Sequence, residues 1–80
     1  MPHAEAERWL RRAVGGAPRP LPGGRFPLLL AEARRAGFTH EQLMDVLDCW
    51  LGYGYCRIVE HLAPDIAILP AGHAYFYRAP

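Results

Sequence analysis

Cys49, Cys56, His61 and His73 are the side chains best suited to metal binding or bond making. Two thiols and two imidazoles form a sufficient donor set for tetrahedral zinc. Their spacing, C-x6-C-x4-H-x11-H, lacks the close ligand pairs of the usual zinc patterns. The plainer reading is of buried free thiols, which behave as small hydrophobes. The sharpest enzymatic reading pairs Cys56 with His61 or His73 as nucleophile and base. Nothing nearby marks an activated thiolate. The stretch GGAPRPLPGG has the glycines of a phosphate loop but no Lys and no following Ser or Thr. The expectation is therefore a non-enzyme with no metal and no cofactor. A Cys49–Cys56 disulfide is not expected in a cytoplasmic setting.

The charged residues carry a second pattern. Glu41, Asp45 and Asp48 recur at helical spacing and place three carboxylates on one helix face. The bases lie elsewhere, at Arg8, Arg11 and Arg12, at Arg19 and Arg25, at Arg34 and Arg35, and at Arg57. Nine bases against eight acids give a net charge of +1 with His neutral. That balance excludes a broad electrostatic footprint for nucleic acid or an anionic membrane. The plainer reading of the helix-end arginines is solvation that complements the helix dipole.

Helices, turns and a hairpin must position these groups. A first helix is expected at about 3–14, with Ala6, Trp9, Leu10, Ala13 and Val14 as its apolar stripe, ended by Gly15 and Gly16. Residues 15–25 are Gly/Pro-rich and read as an extended connector over the core. A second helix is expected at about 27–36, with Pro27 in its first position and Gly37 beyond its end. Thr39 and Gln42 form a capping box for a third helix, and Phe38 and Leu43 suit a hydrophobic staple. Leu43, Val46, Leu47, Trp50 and Leu51 are its apolar face, and Gly52 is expected to stop it. Strands are expected at 55–62 and 66–69, joined by a turn with Pro64 and Asp65 at its tip. A short helix is favoured over a third strand at 71–78.

Eighty residues, 51% of them apolar, make one domain near the lower size limit for independent folding. The second half is rich in aromatics, at Trp50, Tyr53, Tyr55, Tyr75, Phe76 and Tyr77. Surplus apolar surface at 75–77 argues for a homodimer through the first helix or the C-terminal aromatics. There is no Lys, Asn or Ser, and Thr and Gln occur once each, which together with eight prolines points to a thermophilic, GC-rich bacterium. The start is charged and carries no signal-like apolar run, so a cytoplasmic location is expected, away from membranes.

Three helices followed by a hairpin is the order of the winged helix-turn-helix superfamily, and residues 27–80 resemble the tail of small bacterial members. The run Leu69-Pro70-Ala71-Gly72-His73-Ala74-Tyr75-Phe76 resembles their L-T-P-x-G-x-x start of a closing helix, without its capping Thr. The resemblance implies an α+β, winged-helix-like fold: three helices, a β-hairpin wing and a short C-terminal helix. It implies a DNA-binding regulatory module, with Thr39–Leu51 as recognition helix and His40, Glu41, Met44, Asp45 and Asp48 facing outward. Arg34, Arg35, His40 and Arg57 are then the nucleic-acid contacts. The alternative is a protein-interaction winged helix that does not bind DNA and uses Glu41, Asp45 and Asp48. The acidic stripe suits a basic protein surface better than a phosphate backbone.

Overall fold

The computed structural model describes residues 2–60 and 64–77. Its elements are α1 (Pro2–Gly16), α2 (Arg25–Arg35), α3 (His40–Tyr53), β1 (Cys56–Glu60), β2 (Asp65–Ile68) and α4 (Pro70–Tyr77). The fold is α+β in the order helix-helix-helix-hairpin-helix, a winged-helix-like layout. Among the described residues, no helix is long and apolar enough to cross a membrane.

α1 is the central element and packs against α2, α3 and α4. Its stripe Ala6, Leu10 and Val14 is completely buried. α2 contributes Phe26, Leu29 and Ala33, and α3 contributes Leu43, Val46, Leu47 and Trp50. The Trp50 indole is the hub of the lower core, meeting the Phe76 ring edge-on at 4.7 Å and the Phe26 ring at 6.4 Å. Its Nε1–H donates to a Glu7 carboxylate oxygen at 3.2 Å. The Tyr75 hydroxyl donates to the same oxygen, so one carboxylate ties α1, α3 and α4 together.

The turn between α2 and α3 is built locally. Gly37 has φ 108°, which only glycine adopts freely, and its N–H donates to the Arg34 carbonyl while Phe38 N–H donates to that of Ala33. The Thr39 hydroxyl then accepts from Gln42 N–H at 3.1 Å, and the Gln42 side chain accepts from Thr39 N–H at 2.8 Å. The capping box thus forms as the sequence implies. The Phe38 ring packs against Trp9 of α1, with centroids 6.2 Å apart.

Several boundaries differ from the sequence expectations. α1 runs through Gly15 and Gly16, and a Cβ at Gly15 would stand 2.6 Å from the Phe76 carbonyl oxygen. Gly15 is a contact point for α4 and does not end the helix. α2 begins at Arg25, two residues before Pro27, so Phe26 joins the core. α3 continues through Gly52 and ends at Gly54, whose φ of 76° closes it. α4 is a helix, and its Gly72 packs where a Cβ would lie 2.0 Å from the Tyr55 carbonyl oxygen.

The hairpin is antiparallel, with Cys56 opposite Ile68 and Ile58 opposite Ile66. The register shifts between Ile58 and Glu60, leaving Val59 as an exposed bulge residue. Asp65 does not stand at a turn tip. It opens β2, is only 8% exposed, and accepts from Gly24 N–H at 2.6 Å and from its neighbour Ile66 N–H at 2.9 Å. A buried carboxylate needs such donors to offset its lost hydration. The Gly24 bond fastens the end of the 17–24 connector to the hairpin, and Leu21 packs on the core from the same segment.

The C-terminal aromatics leave little surplus surface. Phe76 is buried, and Tyr75 and Tyr77 are half-buried within the one chain. The first helix also spends its apolar stripe on its own domain. Among the described residues, the exposed large hydrophobics are Leu28, Tyr53 and Val59, on three different elements.

Candidate functional site

α3 presents its polar face to solvent. Glu41, Asp45 and Asp48 are all exposed, along with His40. Helical geometry sets the three carboxylates at i, i+4 and i+7 along one side. Among the described residues, none of the three takes part in an ion pair or a side-chain hydrogen bond. Met44 is half-buried beside them.

Arg34 and Arg35 are exposed in the last turn of α2, one short turn before His40. Arg57 is exposed on β1, beyond the far end of α3. Arg34, Arg35 and His40 flank the α2–α3 turn, while Arg57 lies on β1, past the C-terminal end of α3. A phosphate backbone lying along α3 would meet bases at the ends and three carboxylates between.

Among the described residues, Arg11 and Arg19 lie against aromatic rings of α4. The Arg11 guanidinium lies 5.2 Å from the Tyr75 ring centre, and that of Arg19 lies 4.2 Å from the centre of Tyr77. Arg8 and Arg12 flank an open depression of about 520 Å3 floored by Trp9 and Phe38. Asp65, placed on the wing by sequence reasoning, is buried and unavailable to a partner.

The candidate ligating and nucleophilic residues are scattered. Cys56 is buried at the start of β1, and its burial pushes the thiol from 9.0 up to about 11, away from thiolate chemistry. Cys49, expected to be buried, is exposed on α3, where its Sγ lies 3.9 Å from the His3 Nε2. It falls one residue beyond Asp48, off the apolar stripe. His73 is exposed on α4, and His61 lies outside the described residues. Among the described residues, no three metal-ligating side chains come together.

Sequence reasoning missed one feature. An open cavity of about 810 Å3 lies between the connector, β2 and α4, lined among others by Arg19, Leu21, Ile68, His73, Ala74 and Tyr77. Its walls come from three separated segments, and no local pattern marks them. Comparison with known proteins finds no matching family model, no matching curated protein and no matching solved structure.

Proposed function

We propose that the chain is a small non-enzymatic interaction module of the winged-helix type, in which α3 offers Glu41, Asp45 and Asp48 to a basic surface on another protein. One observation carries this reading: the three exposed carboxylates have no partner among the described residues and occupy the helix that a DNA-binding winged helix uses for its bases. Opposite charge at an interface rim raises the association rate and selects the partner more than it adds affinity. Met44, half-buried beside the stripe, gives a partner an adaptable apolar contact.

The second reading is a DNA-binding regulatory module, with Arg34, Arg35, His40 and Arg57 as contacts. It is favoured by the exposed Arg34 and Arg35 beside the turn. It is opposed by the three carboxylates exposed along α3.

An arginine-rich helical peptide tests the first reading. Titrated into isotope-labelled protein, it is expected to shift amides of residues 40–49 in a saturable way. The triple variant Glu41→Gln, Asp45→Asn, Asp48→Asn should weaken binding at least tenfold, about 1.4 kcal/mol. Equal binding by the variant contradicts the proposal.

A further inference from the structure

We propose that the cavity between the connector, β2 and α4 binds a small carboxylate with a phenyl or branched aliphatic body, its carboxylate held by the Arg19 guanidinium and the Tyr77 hydroxyl. This site is separate from the α3 face and goes beyond the reading given for it. The volume of about 810 Å3 falls in the range of small-molecule sites, about 300–1,000 Å3. The walls are apolar, formed by Leu21, Ile68 and Ala74, while Arg19, His73 and Tyr77 supply the polar groups. A mostly apolar pocket with a few convergent polar groups is the usual form of such sites.

Two features point to the ligand's chemistry. The Tyr77 hydroxyl is shielded from solvent, and among the described residues it is the one buried side-chain polar atom without a hydrogen-bond partner. Native structures rarely leave such a group unmatched. Burial raises its pKa, with Arg19 pulling the other way, so at neutral pH it stays protonated and able to donate. The Arg19 guanidinium is exposed and stacks over the same ring, with no carboxylate beside it among the described residues. A side chain held only by a ring face can turn its planar pair of N–H donors toward a carboxylate in the cavity beside the hydroxyl. One cation and one hydroxyl match a single negative charge.

The test titrates isotope-labelled full chain with 3-phenylpropionate and with 4-methylpentanoate, using 3-phenylpropan-1-ol and acetate as controls. The expected result is saturable shifts at the amides of Arg19, Leu21, Ile68 and Tyr77 with at least one of the two acids. The alcohol and acetate should bind at least tenfold more weakly. Arg19→Gln should lower acid affinity at least tenfold without changing the fold. Tyr77→Phe should raise the melting temperature of the free protein, by removing the unmatched hydroxyl, and lower acid affinity as well. Absence of saturable shifts with both acids overturns the proposal. Equal binding of acid and alcohol, or wild-type affinity in Arg19→Gln, overturns it too.

Discussion

Replacing Asp65 by Ala should loosen the connector from the hairpin. In the folded chain the carboxylate accepts from Gly24 N–H at 2.6 Å, across 41 residues of sequence, and from Ile66 N–H at 2.9 Å. Hydrogen bonds to a charged acceptor contribute about 1.5–3 kcal/mol each. Gly24 is exposed, so its freed N–H gains water and the loss there falls at the low end. Ile66 is buried, so its N–H loses its acceptor with little replacement. Together Asp65→Ala should cost about 3–4.5 kcal/mol. Asp65→Asn keeps one carbonyl acceptor in place and should cost about half as much. Urea unfolding monitored by circular dichroism measures both, and an unchanged slope would show that the unfolded state is not the cause. Amide exchange at Gly24 should accelerate in Asp65→Ala, while exchange in the middle of α3 changes only with global stability. A variant within about 0.5 kcal/mol of the parent, the range of ordinary surface substitutions, would refute the role assigned to this carboxylate.

Other predictions concern the core, the cap and the thiols. Leu47 is only 4% exposed, so Leu47→Ala should cost about 2–5 kcal/mol in the same unfolding assay, and near-parental melting would mean that the faces of α3 are wrongly assigned. Thr39→Ala removes one half of the capping box and should cost about 1 kcal/mol, with no change in peptide binding. Iodoacetamide should label Cys49 in the folded chain and spare Cys56 until unfolding, and equal labelling would contradict their different exposure. The Cys56 thiol holds its proton more tightly folded than unfolded, with a pKa of about 11 against 9.0. Its contribution is thus complete below about pH 9 and is lost as pH rises through 9 to 11. Tyr77, also raised by burial, adds to the same alkaline loss, and Cys56→Ala should flatten the fall in stability measured across that window.

The parts of the fold legible in the sequence are those determined within a few residues. Thr39 and Gln42 satisfy backbone groups three residues apart, and Leu43, Val46, Leu47 and Trp50 are aligned by the helical period alone. The acidic face of α3 was legible for the same reason. The features that escaped depend on distant partners. Asp65-Ile66 reads as the edge of a turn because its principal donor, Gly24, lies far away in the chain. Gly15 reads as a helix end, yet it lies within α1, and there, as at Gly72 of α4, another segment's carbonyl oxygen leaves no room for a Cβ. Gly52 and Gly54 have the same composition signal, and only the path into β1 decides which adopts positive φ. Cys49 was placed in the core by its residue type, while its helix angle puts it beside Asp48 in solvent. The cavity needs the connector, β2 and α4 assembled before it exists.

The most direct test of the proposed role of α3 is a salt titration of binding to a labelled random duplex DNA, followed by fluorescence anisotropy. The assay starts at low salt, where electrostatic contacts are strongest. No binding by the parent protein is expected, because the three α3 carboxylates would face the phosphates. The variant Glu41→Gln, Asp45→Asn, Asp48→Asn should gain weak, salt-sensitive binding. Binding by the parent protein would contradict the account, above all if Arg34→Ala with Arg35→Ala flattened its salt dependence by about two units of slope, since each phosphate contact contributes about 0.9.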